Sequence, residues 1–173
     1  MKVFITGATG FVGKALVSEL MPFDDDIIVS VRNRTAKFPE KVQQIVCTDL
    51  SQLNEDNSLI DILSDVDIVI HTAARAHVMR DSISDPLSEY RKMNVTATKE
   101  LARQAAEAGV KRFIFVSSVK VNGESTCDNH TFHETDVPQP RDDYGVSKFE
   151  AEQALIDVGK TTSMQLVIIR PPL

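Results

Sequence analysis

The 173-residue chain is 42% hydrophobic, enough to bury a core as one domain, and its 19 basic against 25 acidic residues leave a formal net charge of -6. That charge repels polyanions and sets aside broad nucleic-acid or anionic-membrane binding in favour of a small-molecule partner. No apolar run reaches the roughly 18 residues of a membrane span, MKVFITG has no signal-peptide plan, and Cys47 and Cys127 lack metal-ligand spacing, so a cytoplasmic protein with two reduced thiols is expected.

In chain order, short β-rich runs are predicted at Val3–Thr6, Ile27–Val31, Gln44–Cys47, Val66–His71, Phe113–Ser117 and Gln165–Ile169. Each is nearly continuous in apolar residues, the pattern of strands buried on both faces of a parallel sheet. Helical patterns separate them at Gly13–Leu20, Leu59–Leu63, Leu87–Ala108 and Tyr144–Val158, the last two followed by Gly109 and Gly159 as expected helix ends. The alternation predicts an α/β fold, a doubly wound parallel sheet in the order 3-2-1-4-5-6. Gly123–Asp143 is polar and long enough to be a functional loop.

The stretch FITGATGFVGKAL places Gly7, Gly10 and Gly13 between the first strand and the first helix. A strand turning into a helix leaves unpaired N–H groups and a positive helix end, a site for a pyrophosphate. There Gly7 permits the tight turn, Gly10 lets backbone approach phosphate, and Gly13 lets helix and sheet pack closely. The spacing is GxxGxxG, so position in the fold carries more of the reading than the triplet does.

Tyr144 and Lys148 are four apart near the start of a predicted helix and share one face, which sets an ammonium beside a phenol and lowers the phenol's pKa towards use as a base. Ser117 and Ser118 end an apolar strand at the sheet edge where ligands of doubly wound folds collect, and either hydroxyl could serve a reacting oxygen or cap backbone. His71 is expected to help by shape. His77 should lie near the pocket, while His130 and His133 belong to a solvated loop, so no metal is assigned. The second strand ends VSVRNR, putting Arg32 where NAD binders usually carry an acid for the ribose 2′-OH; an arginine there accommodates a 2′-phosphate and favours NADP(H) over NAD(H).

These motifs in this order resemble the extended short-chain dehydrogenase/reductases, and among them the nucleotide-sugar epimerases, dehydratases and reductases. TGATGFVG resembles their dinucleotide loop, which implies cofactor contacts at Gly7, Thr9, Gly10, Phe11, Val12 and Gly13. Asp49–Leu50 is similar to the adenine contact, HTAA to the segment after the fourth strand with Ala73 and Ala74 on the cofactor, Asn94 to the family asparagine, and RPPL with Pro171 to the turn after the sixth strand. FVSSVKVNGE resembles the serine-bearing strand; counting back from Gly123 selects Ser118, and puts Asn122 where many relatives carry tyrosine. YGVSK resembles the catalytic pair, with Tyr144 and Lys148 also contacting the cofactor.

The resemblance implies a Rossmann domain over residues 1–173, binding NAD(P) and acting on a nucleotide sugar, a UDP-sugar above all, as a 4-epimerase working through a transient 4-keto sugar. A 4-ketosugar reductase is the alternative, and a non-catalytic NAD(P)-binding sensor the rival of another class. It also implies a homodimer, and a C-terminal substrate lobe that this chain is expected to lack, leaving cofactor binding without turnover.

Overall fold

In the computed structural model six strands form one parallel sheet: β1 (Lys2–Thr6), β2 (Asp26–Val31), β3 (Val42–Val46), β4 (Ile68–His71), β5 (Arg112–Val116) and β6 (Gln165–Ile169). Their spatial order is β3-β2-β1-β4-β5-β6, the doubly wound order expected from the alternation of runs. The structure describes residues 1–23, 25–34, 37–54, 58–76, 85–126 and 131–172; Cys127, His77, His130 and Leu173 of RPPL lie outside them.

Continuous apolarity in the strands follows from coverage on both faces. Val3, Ile5, Ile27, Val29 and Val31 point to one side, where α1 (Phe11–Leu20) brings Val17. Phe4, Ile28, Val69, Phe113 and Phe115 point to the other, against Leu63 of α2 (Ile60–Leu63), Leu101 and Ala105 of α4 (Ala97–Glu107), and Ala151 and Leu155 of α5 (Asp143–Thr161). Burying each such aliphatic or aromatic side chain contributes about 1.5–3 kcal/mol, so the sheet is held by its two faces more than by any single contact.

The predicted helix over Leu87–Ala108 is three segments in one rod. α3 (Pro86–Tyr90) starts with Asp85 accepting from Ser88 N at 3.1 Å, a π segment follows at Arg91–Thr96, and α4 completes it. Gly109, with φ 85, closes α4 as expected, its N–H reaching Ala106 O at 3.1 Å. Gly159 does not end a helix: α5 continues through it to Thr161, and its backbone is not left-handed. The reason is that Thr162 turns to extended backbone (φ -133) without a left-handed cap, so no glycine is needed there.

Candidate active site

The carboxyl ends of β1 to β4 open into one cleft of about 610 Å³. β1 is the switch point, pairing with β2 on one side and β4 on the other, where doubly wound sheets bind ligands. Of the residues expected at a cofactor, Gly7, Thr9, Gly10, Arg32, Asp49, Leu50, Ala73 and Ala74 all line it.

The glycines divide the work sterically. Gly7 has φ 71, and a Cβ there would sit 2.5 Å from Ala73 N, so the turn requires glycine twice over. A Cβ on Gly13 would stand 2.2 Å from Gly7 O, which fixes how closely α1 packs on the turn. At Gly10 the nearest atom is Gly7 O at 3.2 Å, and the residue is exposed, so the missing side chain there leaves backbone open to the cleft. Gly10 N donates to Gly7 O at 2.9 Å, and Lys14 N to Gly10 O at 3.0 Å starts the helix, whose first N–H groups have no intrahelical acceptor. The cradle has the shape and the donors that a dinucleotide's pyrophosphate needs.

The opposite wall is stitched to β1. Thr72 Oγ1 donates to Thr6 O at 2.7 Å, and Ala73 N to Thr6 Oγ1 at 3.4 Å. Asp49 Oδ1 accepts from Ser51 N at 2.8 Å, and hydrogen bonds from Ser51, then the Lys92 charge, hold its carboxyl below its usual range. Ser30, Cys47, Thr48, Ser51, Arg75 and Lys92 also line the cleft, and the sequence reading had missed them. The strand order could have found the first three, since β2 and β3 end beside β1. Burial, then the Asp49 charge, pushes the Cys47 thiol up, towards its neutral form.

Other expected residues stand away from the cleft wall. Phe11, 86% exposed, and Val12 begin α1 without lining the cleft. Asn94 is buried and its amide is engaged within the protein: Oδ1 accepts from Arg75 N at 2.8 Å, and Nδ2 donates to Arg75 O at 3.0 Å and Ser147 Oγ at 2.9 Å. Asn94 lies in the π segment, whose wider turn re-aims side chains, and it ties the post-β4 loop to α5. Pro171 O accepts from Val119 N at 3.2 Å, beneath the serine turn.

Ser118, Tyr144 and Lys148 come together at the end of β5. Ser118 caps the 3₁₀ turn Val119–Val121, its Oγ accepting from Lys120 N at 3.2 Å, and its hydroxyl favours the ionised form of the Tyr144 phenol. Ser117 is used elsewhere: buried, it donates to Glu152 Oε1 at 2.5 Å. Arg170 grips the same carboxylate with two nitrogens, at 3.0 and 2.6 Å, and donates to Asn122 Oδ1 at 3.1 Å; Asn122 Nδ2 reaches His133 O at 3.0 Å. Of the two serines, Ser118 is the one that acts on the phenol among the described residues. Tyr144 is joined to the cleft through Tyr90, whose ring meets Tyr144 edge-on at 6.2 Å and carries the Arg75 guanidinium at 5.7 Å.

Two expectations about the pair change. Lys148 turns inward, Nζ donating to Val116 O at 2.7 Å and standing 3.9 Å from the Phe115 ring centroid; burial lowers its pKa to about 7 against the pull of Glu152. The Tyr144 pKa is raised, not lowered, by burial and then by the Asp142 charge, with Ser118 and Lys120 acting the other way. A shared helix face brings two side chains near, but a buried carbonyl and a ring face decide where the lysine ends. His71 is buried between Thr6 Oγ1 at 2.6 Å and Thr98 Oγ1 at 2.8 Å and stacks on Phe115; burial, then Lys148, holds its pKa down to about 3, so it is a neutral packing group.

The profile of the NAD dependent epimerase/dehydratase family matches residues 3–173. The UDP-glucose 4-epimerase of Vibrio cholerae is 44% identical over 170 residues, 98% of this chain and 50% of the relative. A decarboxylating sterol-4-alpha-carboxylate 3-dehydrogenase of Dictyostelium discoideum is 31% identical over 182 residues, 99% of this chain and 52% of the relative. Among solved structures, MoeE5 in complex with UDP-glucuronic acid and NAD superposes with a TM-score of 0.81 at 31% identity, covering 98% of this chain and 54% of that one. The chain spans about half the length of the curated relatives it matches. With a profile match across nearly its whole length and the dinucleotide cleft in place, the chain belongs to the NAD dependent epimerase/dehydratase family.

Proposed function

We propose that the chain forms the cofactor-binding and catalytic half of an NAD(P)-dependent nucleotide-sugar 4-epimerase acting on a UDP-sugar. The observation that carries this reading is the meeting of Ser118, Tyr144 and Lys148 at the end of β5, beside a glycine-turned cleft to which Tyr144 is joined through Tyr90 and Arg75. The dinucleotide, when bound, supplies hydride acceptance and return at the sugar carbon. Tyr144 takes the proton of the sugar hydroxyl and gives it back, and Ser118 donates a hydrogen bond to that oxygen as it becomes a carbonyl. Lys148 lies on the same helix, and in this proposal its amine leaves Val116 O to bond the cofactor ribose. Asn94 holds the loop on which Ala73 and Ala74 meet the cofactor.

A 4-ketosugar reductase is the second reading in the same family. In such a reductase Tyr144, in its acid form, would deliver the proton to the ketone oxygen. Cofactor choice leans to NADP(H): Arg32 borders both the cleft and an adjoining cavity of about 740 Å³ that also has Lys14 and Lys37 in its wall and, among the described residues, no carboxylate. A homodimer joined through the long helices completes the proposal.

The test is titration with NADPH and NADH, read by nicotinamide fluorescence. Gly10 has φ -78 and ψ 178, accessible to any residue, so Gly10→Val is expected to fold and to lose at least about tenfold in affinity because its side chain occupies the phosphate approach. Equal binding by the two proteins overturns the role given to Gly10, and no binding by the unsubstituted chain overturns the dinucleotide reading.

A further inference from the structure

Ala73 N and Thr72 Oγ1 stand 2.5 and 2.6 Å from where a Cβ on Gly7 would be, so the segment that follows β4 is laid directly on the glycine turn. Arg75 is two residues further along and lines the same cleft. Its main chain is held by one side chain, its N–H donating to Asn94 Oδ1 at 2.8 Å and its carbonyl accepting from Asn94 Nδ2 at 3.0 Å. At the other end its guanidinium lies 5.7 Å from the centroid of the Tyr90 ring in α3. An arginine anchored at both ends has given up much of its freedom before any ligand arrives, which lowers the entropic cost of binding one. A guanidinium can lie on an aromatic face and present its edge to a phosphate at the same time.

We infer that Arg75 is a phosphate-binding residue of the cleft, pairing with the pyrophosphate that the glycine turn cradles. The charge balance calls for such a group. A dinucleotide's pyrophosphate brings roughly two negative charges, while a helix end such as that of α1 offers about half a positive one. Among the described residues, Asp49 and Glu89 add negative charge to the cleft wall, and Arg32, Arg75 and Lys92 are its cations. Arg32 follows β2 and Lys92 acts on Asp49 after β3, on the side where this fold holds the adenosine ribose. Arg75 alone of the three belongs to the segment laid on the glycine turn. The inference rests on the dinucleotide reading, and the experiment separates the two.

Calorimetric titration with ADP-ribose, ADP and adenosine compares the unsubstituted chain with Arg75→Met, Arg75→Gln and Arg75→Lys. Asn94 holds the main chain of residue 75, so none of these substitutions removes the anchor of the loop. Arg75→Met and Arg75→Gln, which drop the charge, are each expected to lose at least about tenfold in affinity for ADP-ribose and ADP. Arg75→Lys keeps the charge without the planar fork and is expected to fall between them and the unsubstituted chain. Adenosine has no phosphate and should show no difference among the proteins. Losses on ADP and ADP-ribose that follow the charge at position 75 and spare adenosine establish the role. Unchanged affinity for ADP in the neutral variants, a matching loss on adenosine, or a lysine variant as weak as the neutral ones overturns it. No binding of ADP-ribose by the unsubstituted chain overturns the dinucleotide reading, and the inference with it.

Discussion

The β1–β3 half of the sheet and the β4–β6 half use the same buried parallel strands but bury different chemistry beside them. Around β1 to β3 the buried polar side chains among the described residues are Thr6 and Ser30, and the ligand wall is backbone shaped by glycine. Around β4 to β6 the protein buries His71, Asn94, Ser117, Lys148 and Glu152, each satisfied by named partners. The first half recognises through shape, and its limits are steric. The second half holds charged and polar groups in place before any ligand arrives, and its limits are electrostatic, because an unpaired buried polar group costs more than a missing contact.

The comparison can be broken most directly at Glu152. Glu152→Ala leaves Arg170 and Ser117 without their shared carboxylate and is expected to cost about 3–5 kcal/mol in urea unfolding. Ser30→Ala, the matching test in the other half, should cost about 1 kcal/mol or less. Similar losses for the two would show that the halves do not differ as described.

A smaller and more specific effect concerns Lys148. Its folded pKa of about 7 lies below its ordinary value of 10.5, so in that window the unfolded chain binds a proton that the folded chain does not. Stability from this group therefore rises with pH across the window, by up to about 1.4 kcal/mol per pH unit, and falls back as pH drops towards the folded pKa. Lys148→Met should flatten the rise in unfolding free energy between about pH 7 and 9. Parallel pH profiles for the two proteins would mean that the buried amine is already compensated.

The smallest effect is expected on the shape-reading side. Arg32→Asp replaces a cation at the adjoining cavity by an anion, which should weaken NADPH and spare NADH, changing their affinity ratio by about tenfold. Calorimetric titration of both cofactors measures the ratio, and an unchanged value would make Arg32 a solvated neighbour of the cleft.

The legible parts of this protein share a physical origin in local pattern. Continuous apolar runs required strands covered on both faces, their alternation with helices required the doubly wound order, and the spacing of Gly7, Gly10 and Gly13 after β1 required a tight turn into a helix. The same local logic missed Gly159, where a helix former and a helix end look alike, and the π segment that re-aims Asn94. Tertiary structure decided what joins residues far apart in the chain. Ser117 finds Glu152 35 positions away, Lys120 finds Asp142 22 away, and Lys148 finds Val116 32 away. Spacing by itself put Tyr144 and Lys148 on one helix face. Where the Lys148 amine goes was settled by the carbonyl and ring that β5 presents to α5, because a buried side chain goes where its polar end is satisfied.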